Sequence, residues 1–376
     1  MRVLLVRPTA SGGLAAHVDQ ELALLEAAGH RVAEAPVRIR ERPSPRHDAA
    51  TVATLRRLLR RWAEPVAVHA HGLRAGALAA LAVPRRGGHR LVVTLHNRTI
   101  GSRAARLVGA ALLRLLTRRA DVVLAVSPDL AVQARSAGAR DVRHAVVPAP
   151  ARAGVAGVTG APFGPPRDAV SPGTSERTAA PDTPHARAVA ETSPTRPDGE
   201  RRGPLTALVI ARLALQKGLD DLLDAAARLR GASVRILVAG DGPLHDELAA
   251  RIAAEDLPVE LLGRRQDVPD LLAGADLVLS AARWEGQPVA LQEALGAGRA
   301  IIATDAGGTR WVTGTAAHLV PVGDPAALAE AVLALRDPLE RGRCEAASRR
   351  RARELPSAED LLAQLEEVLA PAPRRW

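Results

Sequence analysis

Tyrosine is absent from the 376 residues, which hold one phenylalanine and four tryptophans. Aromatic platforms that stack unpaired bases have almost nothing to build with, so nucleic acid is not an expected partner. Cys344 stands alone, which excludes a disulfide scaffold and a thiolate zinc site. No uninterrupted apolar run reaches the roughly 18 residues of a membrane span, so no integral membrane segment is expected. The opening stretch Met1–Arg7 has an apolar core too short for a secretion signal and reads as a first strand. These absences favour a cytoplasmic protein. Lysine is nearly missing as well: Lys217 is the one lysine among 51 basic residues. A coding bias that turned lysines into arginines makes that survivor informative.

The net charge of +10 is unevenly spread. Residues 1–150 hold 24 arginines against 10 acids, and residues 204–376 hold 20 basic residues against 25 acids. The first half therefore carries the positive field, and an anionic partner should approach there. Surface arginine without a partner would give the same asymmetry. Between the halves, residues 151–203 contain eight prolines from Pro162 to Pro197 and no apolar periodicity. Such a stretch buries too little surface to offset its ordering entropy and reads as a disordered Pro/Ala/Thr-rich linker. The expected domains are 1–150, 204–356, and a C-terminal segment 357–376 with an amphipathic helix over Ser357–Ala370.

Both halves alternate short apolar runs with amphipathic stretches. Strands are expected at Arg2–Val6, Val66–Val68, Leu91–Leu95 and Val122–Val126, then at Leu205–Ile210, Val234–Ala239, Val259–Leu262, Leu277–Ser280 and Ala300–Thr304. Helices fall between them, among them Leu14–Ala28, Thr51–Trp62, Ala104–Arg118, Leu219–Leu229 and Val289–Leu295. This alternation implies an α/β class with two parallel sheets, two Rossmann-like domains facing a cleft. Ligands in such sheets sit beyond the carboxyl ends of the strands.

Five motifs stand at those ends. Residues 284–298 place Glu285 in a loop, then Gly286, Gln287 and Pro288 before a helix carrying Glu293. Pro288 suits a first helical position, free N–H groups there attract anions, and Gly286 admits a close ligand. The two carboxylates could each accept sugar hydroxyls. An N-terminal acid and an exposed helix acid with no ligand would look the same. Arg212 and Lys217 flank the turn after Leu205–Ile210; a guanidinium fork and an ammonium suit a diphosphate, whereas the helix dipole disfavours bare cations. Gly240-Asp241-Gly242-Pro243 is a third strand-to-helix turn. Ser11-Gly12-Gly13 is a fourth, without the full dinucleotide fingerprint. His69, His71 and His96 form the fifth set, placed just after their strands. No carboxylate lies near them in sequence, so they read as polar cleft residues, and no metal site is expected. His17 reads as a helix-face residue near the glycine loop.

In this order the motifs resemble retaining family-4 glycosyltransferases of the GT-B fold. The residues that carry the resemblance are Gly12-Gly13, His69-Ala70-His71-Gly72, Thr94-Leu95-His96-Asn97, Ala125-Val126-Ser127, Arg212 to Lys217-Gly218, Gly240-Asp241-Gly242-Pro243 and Glu285 to Glu293. The resemblance implies sugar transfer from a nucleotide-diphosphate sugar to a hydroxyl, without metal or cofactor. Arg212 and Lys217 would hold the diphosphate, Glu293 the ribose and Glu285 the sugar. The stretch Gly286, Gln287, Pro288 and Val289 would cradle the sugar, Gly240 would belong to the donor site, and Gly12 and Gly13 would approach the phosphates. His96 would sit near the reacting carbon, and the C-terminal helix would cross back to the first domain. Val147-Pro148-Ala149-Pro150 stands where the family has an Asn-Gly turn, and Trp311 where it has an acid. A non-catalytic nucleotide-sugar-binding subunit and a GT-B epimerase are the alternatives. The expected acceptor is a glycan, lipid-linked or of the cell envelope.

The arginines suggest where such an acceptor would lie. Arg56, Arg57, Arg60 and Arg61 share one helix; Arg103, Arg106, Arg114 and Arg118 share another, opposite Val108, Ala111, Leu112 and Leu115. The plainer expectation is that both helices bury their apolar faces on the sheet. The positive half would still attract an anionic membrane surface, making the protein peripheral on the inner face of the plasma membrane.

Overall fold

Continuous β-branched and leucine-rich runs need cover on both faces, and parallel sheets flanked by helices provide it. A computed structural model describes residues 1–9, 13–40, 44–62, 64–98, 102–149 and 203–371. Gly12 and the linker expected up to Arg202 lie outside the described residues. The first sheet contains β1 (Arg2–Val6), β2 (Arg31–Glu34), β3 (Ala67–His71), β4 (Arg90–Leu95), β5 (Val122–Ala125) and β6 (Val142–His144). Its order is β2-β1-β3-β4-β5-β6, with every pair parallel. The second contains β7 (Leu205–Ile210), β8 (Val234–Ala239), β9 (Val259–Gly263), β10 (Leu277–Ser280), β11 (Ala300–Thr304) and β12 (Ala317–Val320). Its order is β12-β11-β10-β7-β8-β9, also parallel throughout. Strand order reverses between β1 and β3 and between β7 and β10, so those two places open crevices for ligands.

The helices that matter for the site are α1 (Gly13–Ala27), α2 (Pro45–Arg61), α3 (Leu73–Ala82), α4 (Arg103–Thr117) and α5 (Pro128–Ser136) in the first half. A 3-10 turn, Leu215–Lys217, precedes α6 (Leu219–Arg228) in the second. There follow α7 (His245–Ala254), α8 (Val268–Gly274), α9 (Val289–Gly296), α10 (Thr309–Thr313), α11 (Pro325–Ala334), α12 (Pro338–Ala352) and α13 (Ala358–Leu369). Ser357 and Asp360 close a reciprocal capping box at the start of α13. This last helix inserts Leu361, Leu365, Val368 and Leu369 into the core of the first sheet. Glu366 meets His30 at 2.9 Å, and Gln364 accepts from the Val146 N–H and donates to the His144 carbonyl, both at 2.8 Å.

Two expectations change. β3 does not stop at Val68 but runs on through His71, because His69 and His71 take their ladder places opposite Val92 and Thr94 and are fully buried. The second is α4. Helix α2 buries Val52, Leu55 and Leu59 on the sheet as expected. Helix α4 instead turns Gly109, Leu116 and Thr117 inward and leaves Leu107 73% and Val108 55% exposed. Leu116 packs over Gly76 of α3, where a Cβ would stand 3.4 Å from its methyl, so α4 seats that side and leaves Leu107 and Val108 outside.

Candidate functional site

The second half brings two distant motifs together. Lys217 ends the 3-10 turn after β7, and Gly218 reverses the chain in the left-handed region at φ +61°. A side chain at Gly218 would strike the Ala281 carbonyl oxygen, so glycine lets the turn pack against the end of β10. That contact sets Lys217 beside the loop carrying Glu285. The ammonium and carboxylate meet at 2.5 Å, both largely shielded from solvent. Arg212 stands on the same turn, exposed, with no ion pair among the described residues.

The glycines of the other motifs serve mainly the packing of loops. A Cβ at Gly240 would collide with the Ala211 carbonyl, and one at Gly242 with that of Leu213. The turn after β8 is thus seated on the turn after β7, an arrangement locked by Leu213 N–H donating to the Asp241 carbonyl at 3.0 Å. Gly307 and Gly308 similarly admit the carbonyls of Glu285 and Gly286, and the Gly308 N–H donates to the Glu285 carbonyl at 2.9 Å. The space beside Gly286, expected to admit a ligand, admits Val126 of the first half, whose methyl lies 2.7 Å from where a Cβ would stand.

Residues of the α9 loop also bridge the halves. Pro288 is the N-cap of α9, one position before the helix proper, with Val289 as its first residue. The Gln287 amide donates to the Ala145 carbonyl at 2.5 Å and lies 2.9 Å from His144. Its side chain therefore serves the junction, leaving the backbone of Gly286–Val289 for any ligand. Buried Gln292 donates to the Val147 carbonyl at 2.8 Å, a junction residue not singled out in the sequence. Trp284 donates to Asp129 at 3.0 Å, and the Trp311 ring packs edge-on against His144 at 4.1 Å. Glu293 lies half-buried on α9.

Opposite this junction the first half holds a buried polar cluster. His69 and His71, two residues apart on β3, share one face of the sheet. Helix α1 lays His17 and Glu21 over them. Glu21 is 1% exposed, with its Oε1 2.9 Å from His17 Nε2 and its Oε2 3.2 Å from both His69 Nδ1 and His71 Nε2. His71 Nδ1 is 3.1 Å from His96 Nε2, and His69 Nε2 is 2.8 Å from the Thr94 hydroxyl. A 210 Å³ cavity opens over His71, Gly72 and His96, and is bounded by Pro8, Leu14 and Asn97. Gly13 starts α1 with open space around it.

The carboxylate thought absent from this histidine set is Glu21. It comes from α1 rather than from the strands, and the four-residue spacing from His17 was the visible clue. Burial would raise its pKa, but the facing His71, His69 and His17 outweigh that and hold the carboxyl well below its ordinary range. Burial pushes His71 down to about 4, with Glu21 opposing. Burial, then the facing His71 and His17, push His96 well below its ordinary value. The cluster therefore favours a buried carboxylate at Glu21 and uncharged rings at His71 and His96. His17, Glu21 and His71 offer three ligand atoms within 4.8 Å of one another, the one group among the described residues that could hold a metal ion.

Relatives agree with this architecture. The profile described as "Glycosyl transferase 4-like domain" matches residues 1–150, and "Glycosyl transferases group 1" matches 204–337. The alpha-D-kanosaminyltransferase of Streptomyces kanamyceticus is 30% identical over 138 residues, 35% of this chain and 36% of that protein. The N,N'-diacetylbacillosaminyl-diphospho-undecaprenol alpha-1,3-N-acetylgalactosaminyltransferase of Campylobacter jejuni is 33% identical over 104 residues, 27% of each chain. These matches span about a third of the curated relatives' length. Among solved structures, HepE of Anabaena in complex with UDP superposes with a TM-score of 0.70 at 19% identity, covering 99% of this chain and 100% of that one. Sucrose-phosphate synthase of Thermosynechococcus elongatus gives 0.72 at 17%, covering 98% of each. With both halves matched and two parallel six-stranded sheets in one chain, the protein belongs to the family-4 glycosyltransferases of the GT-B fold.

Proposed function

We propose that this chain transfers a sugar from a nucleotide-diphosphate sugar to a hydroxyl acceptor with retention of configuration. The observation that carries the reading is the 2.5 Å Lys217–Glu285 pair, which joins a cation for phosphate and an acceptor for sugar hydroxyls at the β7–β10 crevice. Lys217 and exposed Arg212 hold the diphosphate, Glu285 the sugar and Glu293 the ribose. Gly240 supports the donor turn, the backbone of Gly286–Val289 lines the sugar, and Gly13 at the start of α1 approaches the phosphates. His96 stands near the reacting carbon. The bond from the sugar carbon to the diphosphate breaks with its electron pair leaving on phosphate. The acceptor oxygen bonds to the same face, and its proton passes to the departing phosphate. The two cations stabilise the charge that develops there, so the scheme uses no metal. HepE is described bound to UDP and to UDP-glucose, which favours UDP as the first probe. UDP and UDP-glucose should raise the melting temperature in a concentration-dependent way. No shift with UDP, GDP or ADP at millimolar concentration would remove the nucleotide from the reading.

A lipid-linked acceptor is the second part of the proposal, and α4 favours it. A 400 Å³ groove between α4 and α5 is lined by Leu113, Leu130 and Val132 with Arg106 and Arg114. It shares Leu73, Asn97 and Arg98 with the cavity over His96, so an apolar path with basic walls leads to the proposed reaction centre, while Leu107 and Val108 stand exposed on the same helix. The Campylobacter relative carries a diphospho-undecaprenol acceptor in its name. Basic residues near an anionic surface contribute about 1 kcal/mol each. The protein should co-sediment with phosphatidylglycerol vesicles at low salt and not with phosphatidylcholine vesicles, and L107E with V108E should weaken that binding at least 10-fold. Equal binding to both lipids, or none at low salt, would leave a soluble acceptor.

A further inference from the structure

Glu21 is a fully buried carboxylate that the donor site does not use. An ionised carboxylate has no proton to give, so a ring nitrogen 3.2 Å from it is favoured as N–H rather than as a lone pair, even though the contact is not aligned as a hydrogen bond. His71 Nε2, 3.2 Å from Glu21 Oε2, is thus the protonated nitrogen of a neutral ring, and His71 Nδ1 keeps a lone pair. His96 Nε2 lies 3.1 Å from that lone pair and must donate to it. One ring nitrogen of His96 then remains, Nδ1, unprotonated, on a half-buried ring that lines the 210 Å³ cavity.

We propose that Glu21 is a positioning residue for sugar transfer: acting through His71, it fixes His96 as the tautomer whose Nδ1 accepts a hydrogen bond from a hydroxyl of the bound sugar. This rests on the glycosyltransferase reading only for the identity of the hydroxyl; the tautomer itself follows from the chain Glu21–His71–His96. The remaining neighbours agree with it. His17 Nε2 donates to the other carboxylate oxygen at 2.9 Å, and His69 is held by Thr94, so neither competes for His71 Nδ1. A buried carboxylate with this many imidazole contacts is stable as an anion, whereas a glutamine there could donate as well as accept and would let the whole chain reverse. Glu21 Oε2 and His71 Nε2 face each other without an aligned hydrogen bond, so the test also reads for an ion at that place.

The test uses the full chain labelled with 15N at histidine. Long-range proton–nitrogen correlation reads each tautomer directly, with His96 assigned by its loss in His96→Asn. Wild-type His96 should show a protonated Nε2 and a bare Nδ1. Glu21→Gln should show a mixture, and UDP release from UDP-glucose should fall about 10-fold or more while UDP affinity, read by calorimetry, stays unchanged. The wild-type measurement needs no variant to fold. Wild-type His96 protonated at Nδ1 would overturn the proposal, as would an unchanged tautomer and turnover in Glu21→Gln. Stoichiometric zinc in the purified protein, removed by chelator with loss of the His71 signal pattern, would overturn it in favour of a metal site. If UDP does not bind at all while the tautomer is as stated, the glycosyltransferase reading fails and the His96 assignment stands.

Discussion

Lys217→Ala should lower UDP release from UDP-glucose about 100-fold, the scale of losing one preorganised donor to developing charge. The chain contains 50 arginines and one lysine, and that lysine lies 2.5 Å from Glu285 at the crevice between β7 and β10. An ammonium is a compact charge that can face a carboxylate and still turn donors toward phosphate. A guanidinium is a planar fork that pairs with a carboxylate through two donors at once, so beside Glu285 it would turn fewer of them toward phosphate. Lys217→Arg should therefore recover only part of the rate. Removing the lysine also strips Glu285 of its counter-charge, so the variant should lose some stability as well. Glu285→Gln separates the two effects: it spares the phosphate cation and should weaken turnover through the sugar instead. Wild-type UDP release by Lys217→Ala would remove the lysine from the donor site.

Acid should unfold this protein early. The ordinary histidine value near 6.5 applies to the unfolded chain, whereas burial brings His71 to about 4 in the native state. Between those values the unfolded chain binds a proton that the native chain excludes. Stability is then fully present above 6.5 and falls as the pH drops toward 4. The difference for His71 alone amounts to about 3 kcal/mol over that window, and about 2 kcal/mol by pH 5. His96, lowered by burial and by its histidine neighbours, works in the same direction. Glu21, held low, adds a further loss once the pH falls below the ordinary carboxylate range. Urea unfolding followed by circular dichroism at pH 7.5 and pH 5 measures the slope. Equal stabilities at the two values would contradict neutral, buried His71 and His96.

The central strands were legible because each is a short, mostly apolar run rich in Val, Leu, Ile and Ala. β1, β7, β8, β10 and β11 begin and end where the sequence changes character. Edge strands lack that property. β2 reads Arg-Val-Ala-Glu and β6 reads Val-Arg-His, both half-exposed, and neither carries a run that hydropathy could detect. The end of β3 was hidden for the opposite reason. His69 and His71 are polar by type and fully buried in fact, since α1 brings their partner from about 50 residues upstream. Glu21 itself sits among the apolar residues of α1, where a charge reads as part of a solvated face. Helix α4 displays its amphipathic stripe plainly, but a stripe does not say whether protein or another phase will cover it. The family resemblance ordered the motifs along the chain; it did not reveal that Gly240, Gly242, Gly307 and Gly308 make room for neighbouring backbone.

Helix α13 belongs in space to a sheet whose last strand ends more than two hundred residues earlier in the chain. The ribosome builds that sheet first and its missing wall last. At the usual 5–20 residues per second, β6 leaves the exit tunnel roughly 10–45 s before Leu369 does. Throughout that interval the surface awaiting Leu361, Leu365, Val368 and Leu369 has no cover of its own. The first half thus lacks its last core contacts until the second has been translated.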